Sequence, residues 1–132
     1  MLGPTALTYF VAGMPETKGS WIPLGGGRVK ADNPREKGWA ASVAWATKAA
    51  CIKARHVADD RRYQVHLDFV LEPPPNRTRA NKRDIDKLCR SILDALTALV
   101  WIDDEQVDAL HVTKRVTIGS PSGVTISIVP FE

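Results

Sequence analysis

The chain has 132 residues, enough for one domain with a substantial core, and its 44% hydrophobic and 25% charged content excludes a disordered polymer. Its net charge of +3 leans toward an anionic partner without requiring one. Cys51 and Cys89 form no CxxC motif and read as small core residues of a reducing compartment. The start carries no basic leader, and no apolar run approaches the roughly 18 residues a membrane span needs. A cytoplasmic protein without a membrane partner is expected.

Leu7 to Val11 is β-rich and runs into the turn-prone Gly13-Met14-Pro15-Glu16-Thr17-Lys18-Gly19. Trp21 to Leu24, Gly25-Gly26-Gly27 and Arg28-Val29-Lys30 then read as a short hairpin. The Gly triplet lacks the spacing of a phosphate cradle. Asn33-Pro34-Arg35-Glu36 is a helix start, with Asn33 as the cap, Pro34 in the first position and Glu36 as the acid of a capping box. That helix is predicted to run to about Arg55, with Trp39, Val43, Ala46, Ala50 and Cys51 on one face. Trp45 points elsewhere, toward another element or chain, or to a second edge of the same core.

Tyr63, Val65, Leu67, Phe69 and Leu71 alternate with Gln64, His66 and Asp68, the pattern of a half-buried strand. After Pro73-Pro74-Pro75 comes a cationic loop, Asn76 to Arg83. Ile85, Leu88, Ile92, Ala95 and Leu99 then predict a second helix over about 86–99. Two strands follow, joined by Gly119 to Gly123. Along the first, Leu110, Val112, Val116 and Ile118 share a face with Lys114. A buried unpaired ammonium is costly, so Lys114 either reaches the sheet edge or meets a carboxylate site. The expected fold is α+β: a single domain over 1–132, a small mixed sheet with two main helices, in the order β-hairpin-α-β-α-β-β.

Arg83-Asp84-Ile85-Asp86-Lys87-Leu88-Cys89-Arg90 carries the chemistry. Residues two apart on extended backbone point to one side, so Asp84 and Asp86 could aim their oxygens at one spot, with Asp104 as a further ligand. Hard oxygen donors suit Mg²⁺, which keeps waters and completes its shell with phosphate oxygens; Mn²⁺ is the alternative ion. Such an ion can polarise a scissile phosphate and activate water, while Lys87, Arg90 and Lys114 stabilise developing charge. The bland alternative is that Asp84 or Asp86 caps the helix and that Asp103 and Asp104 are turn acids. Capping explains one aspartate, not the pair with its cations. Arg77, Arg79, Lys82 and Arg83, a solvated run in isolation, stand directly before the carboxylates and become a candidate phosphate clamp. His56, His66 and His111 show no metal-ligand spacing.

Asp84 to Arg90, Leu93-Asp94-Ala95-Leu96, Trp101 to Val107 and the downstream Lys114 resemble the RusA family of Holliday junction resolvases. The resemblance covers about residues 82–116 strongly and extends weakly to Gly13-Met14-Pro15 and Lys18-Gly19. It implies a homodimeric, Mg²⁺-dependent endonuclease that cuts four-way junctions by paired symmetric nicks in DNA recombination and repair. It carries over Asp84, Asp86 and Asp104 as metal-binding carboxylates; Lys18, Lys87 and Arg90 join the clamp residues as candidate DNA contacts. Lys87 stands where the family commonly has Asn, and Arg90 where a catalytic Lys is common. Arg does not replace Lys as a proton donor, so Arg90 reads as a phosphate clamp and the acid–base role passes to Lys87 or Lys114. The alternatives are a non-catalytic nucleic-acid-binding or regulatory module, or a nuclease acting on other branched DNA.

Reach adds a geometric expectation. A helix over 86–99 is roughly 20 Å long, and the five residues from Leu99 to Asp104 extend at most about 17 Å. Asp104 therefore has difficulty returning to Asp86 of its own chain. Two subunits packing these helices antiparallel about a two-fold axis would supply Asp104 in trans, giving a composite active site.

Overall fold

The computed structural model describes residues 6–18, 21–31, 33–73 and 83–131; Arg77, Arg79 and Lys82 of the expected clamp lie outside them. The elements follow the expected order. Strand β1 (Leu7–Ala12) precedes a hairpin of β2 (Trp21–Gly25) and β3 (Arg28–Ala31), then helix α1 (Glu36–Ala54) and strand β4 (Tyr63–Leu71). Helix α2 (Ile85–Leu96), a single 3₁₀ turn (Asp104–Gln106), β5 (Val107–Val116) and β6 (Gly123–Pro130) complete the chain. The main sheet has the order β1-β6-β4-β5, and β2-β3 forms a second, two-stranded sheet. In the main sheet only β4 and β5 run parallel, because α2 carries the chain back across the sheet between them. The fold is α+β with a mixed sheet and two helices.

β4 supplies the centre of the core. Tyr63, Val65, Leu67, Phe69 and Leu71 are buried beside Val124, Ile126 and Ile128 of β6, as the alternation requires. Trp39, Val43, Thr47 and Cys51 of α1 and Leu88, Cys89, Ser91, Ile92 and Leu96 of α2 face them. The hydroxyl of Thr47 is satisfied by the Val43 carbonyl, 2.7 Å away, and by Tyr9 at 2.6 Å.

Several local expectations change. The helix α1 begins at Glu36 with Arg35 at the cap position, and Asn33 Oδ1 accepts only from the Arg35 amide, at 3.2 Å. Glu36 accepts instead from Ser91 Oγ at 3.0 Å, because that buried hydroxyl needs a partner and α2 brings it there. Trp45 is 77% exposed and belongs to no second edge of the core. The apolar face of β5 is half open. Leu110 and Val116 keep 40% and 46% of their surface, since β5 pairs with β4 on one side and bonds no other described strand. Among the described residues no helix is long and apolar enough to cross a membrane.

Candidate active site

The carboxylate pair sits where backbone geometry changes. Asp84 occupies the cap position of α2 in an extended conformation (φ −69°, ψ 136°), yet its side chain makes no capping hydrogen bond. Ile85 and Asp86 are already helical, so the pair straddles a helix start; the extended i, i+2 geometry expected from sequence does not hold. Both carboxylates are exposed. Asp86 makes no hydrogen bond or ion pair with a described residue, and Lys87 Nζ stands 4.0 Å from Asp84 Oδ2. Asp86 also lies in the first turn, where the helix dipole favours negative charge. Burial first, and the Asp86 charge second, push the Cys89 thiol up to about 11.

Three contacts fix this segment. Arg83, the residue before Asp84, donates from Nε and Nη2 to Glu16 Oε1 at 3.3 and 3.0 Å, and from Nη2 to Oε2 at 3.3 Å. Lys114 Nζ donates to the Arg83 carbonyl at 2.8 Å. The Lys18 amide donates to the Lys87 carbonyl at 3.1 Å, while its ammonium pairs with Asp94 at 3.3 Å. Arg83 and Lys18, expected from sequence to contact DNA, are thus committed to carboxylates of their own chain. The reason for Arg83 is physical: Glu16 is only 7% exposed, and a carboxylate that deep requires a charged partner. Lys114 reaches over the sheet edge to the carboxylate segment and holds its backbone. Arg90 is exposed on α2 and forms no ion pair with a described residue.

Asp104 is built differently. Trp101 is fully buried and donates from its indole nitrogen to Thr97 Oγ1 at 3.1 Å, which anchors the loop after α2. Gln106 is buried behind the turn. Its amide nitrogen donates to the Asp59 and Arg61 carbonyls, both at 2.8 Å, and its oxygen accepts from the Ile102 and Asp103 amides, both at 3.0 Å. Asp103 caps the 3₁₀ turn through the Glu105 amide at 3.0 Å, which leaves Asp104 as the acid facing outward. Partial desolvation, then a bond and charge from Asp103, then the charge of Asp94, raise the Asp104 carboxyl above the ordinary aspartate range.

The Trp101–Thr97 bond pins the start of this loop at the C-terminal end of α2. Asp94 stands two turns past Asp86, about 12 Å further along α2 at 1.5 Å per residue. Asp104, three residues beyond Trp101, feels the charge of Asp94 on that side of the helix. Among the described residues no three His, Cys, Asp or Glu side chains come together to hold an ion. The histidines are structural or superficial. Buried His56 bonds the Val100 carbonyl at 2.8 Å, and His66 stacks on His111 across β4 and β5 with ring centroids 4.5 Å apart.

A family model described as Endodeoxyribonuclease RusA matches residues 16–129, nearly the whole chain. The chain belongs to the RusA endodeoxyribonuclease family. No curated protein matches it. The RusA match begins at Glu16, the buried partner of Arg83. In the sequence Glu16 is one residue of a turn-prone stretch, Asp94 belongs to the Leu93–Leu96 motif and Gln106 to the Trp101–Val107 segment, and none of the three stands out as a site residue. A lone acid in a Pro- and Lys-bearing turn carries no signal of a partner 67 positions away.

Proposed function

We propose that this RusA-family protein is a Mg²⁺-dependent endonuclease that resolves four-way DNA junctions by paired nicks, with each active site assembled from two copies of the chain. The observation that carries the reading is Asp84. It stands at a helix cap position without capping, exposed and with only Lys87 at 4.0 Å for a partner, beside the exposed Asp86. Two such carboxylates fit an ion that takes few protein ligands and keeps several waters, and Mn²⁺ fits the same donors. When bound, the ion supplies Lewis-acid polarisation of a phosphate and a more acidic water.

The chain's own residues do the rest. Asp84 and Asp86 hold the ion. Lys87, half-buried within 4.0 Å of Asp84, is placed to move a proton or steady the leaving group. Arg90 lies one helical turn from Asp86 on the exposed side and grips a phosphate as a planar fork. Lys114 acts chiefly by holding the Arg83 carbonyl.

Asp104 enters from the second copy. An antiparallel pairing of two α2 helices about a two-fold axis sets the Asp94/Asp104 end of one against the Asp84/Asp86 end of the other. The half-open apolar side chains Leu110 and Val116, on the edge strand β5, give that second copy a surface to cover. Two equivalent sites suit a substrate with two equivalent strands.

The test is incubation of labelled four-way junction and linear duplex with and without Mg²⁺, using wild type and Asp86→Asn. Mg²⁺-dependent nicking of the junction, lost in Asp86→Asn while binding persists, supports the proposal. Equal cutting of linear duplex overturns the junction preference. Binding without cutting under Mg²⁺ or Mn²⁺ overturns the enzyme reading in favour of a binding module.

A further inference from the structure

We propose that Glu16 is a positioning residue: through Arg83 it fixes the stretch of backbone that presents Asp84. This rests on the metal-site reading above and names a residue outside the carboxylate set. Asp84 does not anchor itself, since its side chain makes no cap bond to α2. The anchoring falls on the residue before it. Arg83 is gripped from two sides, by the Glu16 carboxylate through three contacts of 3.0 to 3.3 Å and by Lys114 Nζ on its carbonyl at 2.8 Å. Glu16 is itself held. Asn33 Nδ2 approaches its Oε1 at 3.5 Å and bonds the Thr17 carbonyl at 3.1 Å. Two residues on, the Lys18 amide bonds the Lys87 carbonyl within α2. The turn 15–18 is therefore laced to the chain on both sides of Asp84 and Asp86, at Arg83 before α2 and at Lys87 within it.

The chemistry of the pair suits positioning. A planar guanidinium docked on a carboxylate through two nitrogens resists rotation, which a single ammonium contact does not. Neutralised by Glu16, Arg83 also offers little attraction to a phosphate. Its contribution to a metal site is geometric, of the kind that outer partners of metal ligands make.

The experiment uses the full chain as wild type, Glu16→Gln and Arg83→Lys, each at a temperature where circular dichroism shows it folded. Two readouts are taken: Mn²⁺ affinity from the electron paramagnetic resonance signal of the free ion, and amide hydrogen exchange by residue. Glu16→Gln keeps the shape and loses the charge. It is expected to weaken Mn²⁺ binding about tenfold and to speed exchange at Asp84–Leu88, with the β4 and β6 amides unchanged. Arg83→Lys, which keeps charge with fewer contacts, is expected to fall between Glu16→Gln and wild type, and it carries both readouts if Glu16→Gln does not fold. Unchanged Mn²⁺ affinity and unchanged exchange at Asp84–Leu88 overturn the positioning role. A uniform rise in exchange that includes β4 and β6 overturns it too, as the mark of a residue that merely stabilises the fold. No Mn²⁺ uptake by wild type overturns the metal-site reading itself, a result distinct from uptake that does not respond to Glu16→Gln.

Discussion

Replacing Gln106 by Leu keeps the volume of a buried side chain and removes four hydrogen bonds. The two carbonyls it serves, on Asp59 and Arg61, lie in half-buried chain and lose the Gln106 amide as a donor. The two amides it receives, on Ile102 and Asp103, belong to exposed residues where water can take over. At about 1 kcal/mol for each carbonyl and a fraction of that for each amide, the loss is about 2–3 kcal/mol. For a chain this size that corresponds to a fall in Tm of about 8–10 °C. Urea unfolding followed by tryptophan fluorescence measures it, since buried Trp101 sits in the same loop. The turn that orients Asp104 loosens with it, so nuclease activity falls further than the folded fraction. A loss below about 0.5 kcal/mol would refute the reasoning, because it would mean these groups are solvated in the native protein.

Other expectations follow from the same contacts. Burial works to raise the Asp59 carboxyl, but bonds from Tyr63 and from the Arg61 amide and guanidinium, with the Arg61 charge, hold it below the usual range. A depressed carboxyl contributes stability that is present at neutral pH and lost as pH falls through its lowered folded pKa. Asp59→Asn should cost about 1–2 kcal/mol at pH 7 and little at pH 2, and thermal melts at both pH values check it. Equal losses at the two pH values would contradict the assignment. Arg90→Ala should weaken junction binding in Ca²⁺ and reduce the salt slope by about one, as a filter-binding titration reads; an unchanged slope would remove Arg90 from the phosphate contacts. Ser91→Ala should loosen the α1–α2 contact by about 1 kcal/mol through its lost bond to Glu36, seen as a lower urea midpoint.

How far the fold could be read from sequence depended on how local each signal was. The alternation in β4 and the spacing of Leu88, Ile92 and Leu96 are local and translate directly into buried faces. The end of α2 comes earlier than the apolar spacing suggests, at Leu96. The chain from there to Asp104 is therefore longer than expected, and reach alone does not bar Asp104 from Asp86 of its own chain. Thr97 turns extended and Ala98 takes φ 74°, allowing Trp101 to fold back onto Thr97. The alternation along β5 was equally plain, but its burial depends on what lies beside the strand, which no local pattern encodes. In the site, Asp84, Asp86 and Asp104 stood out by type and spacing. Their relations did not, because they depend on long-range pairs. Arg83 reads as one more cation of a basic run until Glu16 is brought to it, and Lys18 reads likewise until Asp94 is. The bonds of Gln106 explain why a glutamine should follow three acids in the Trp101–Val107 segment, a fact visible only once the Asp59–Arg61 loop lies behind it.

The central claim, a nuclease site shared between two copies, is tested most directly by complementation. Asp86→Asn and Asp104→Asn proteins are each expected to be inactive, since either change removes a ligand from both sites of a dimer. Refolded together at equal amounts, about half of the dimers are mixed, and each mixed dimer holds one intact site made of Asp84 and Asp86 from one chain and Asp104 from the other. The mixture should recover about a quarter of the wild-type nicking rate with Mg²⁺, and its product should be a junction nicked in one strand without the paired second cut. If Asp104 acted within its own chain, every site in the mixture would be broken. No activity above that of the separate variants would then contradict the shared site.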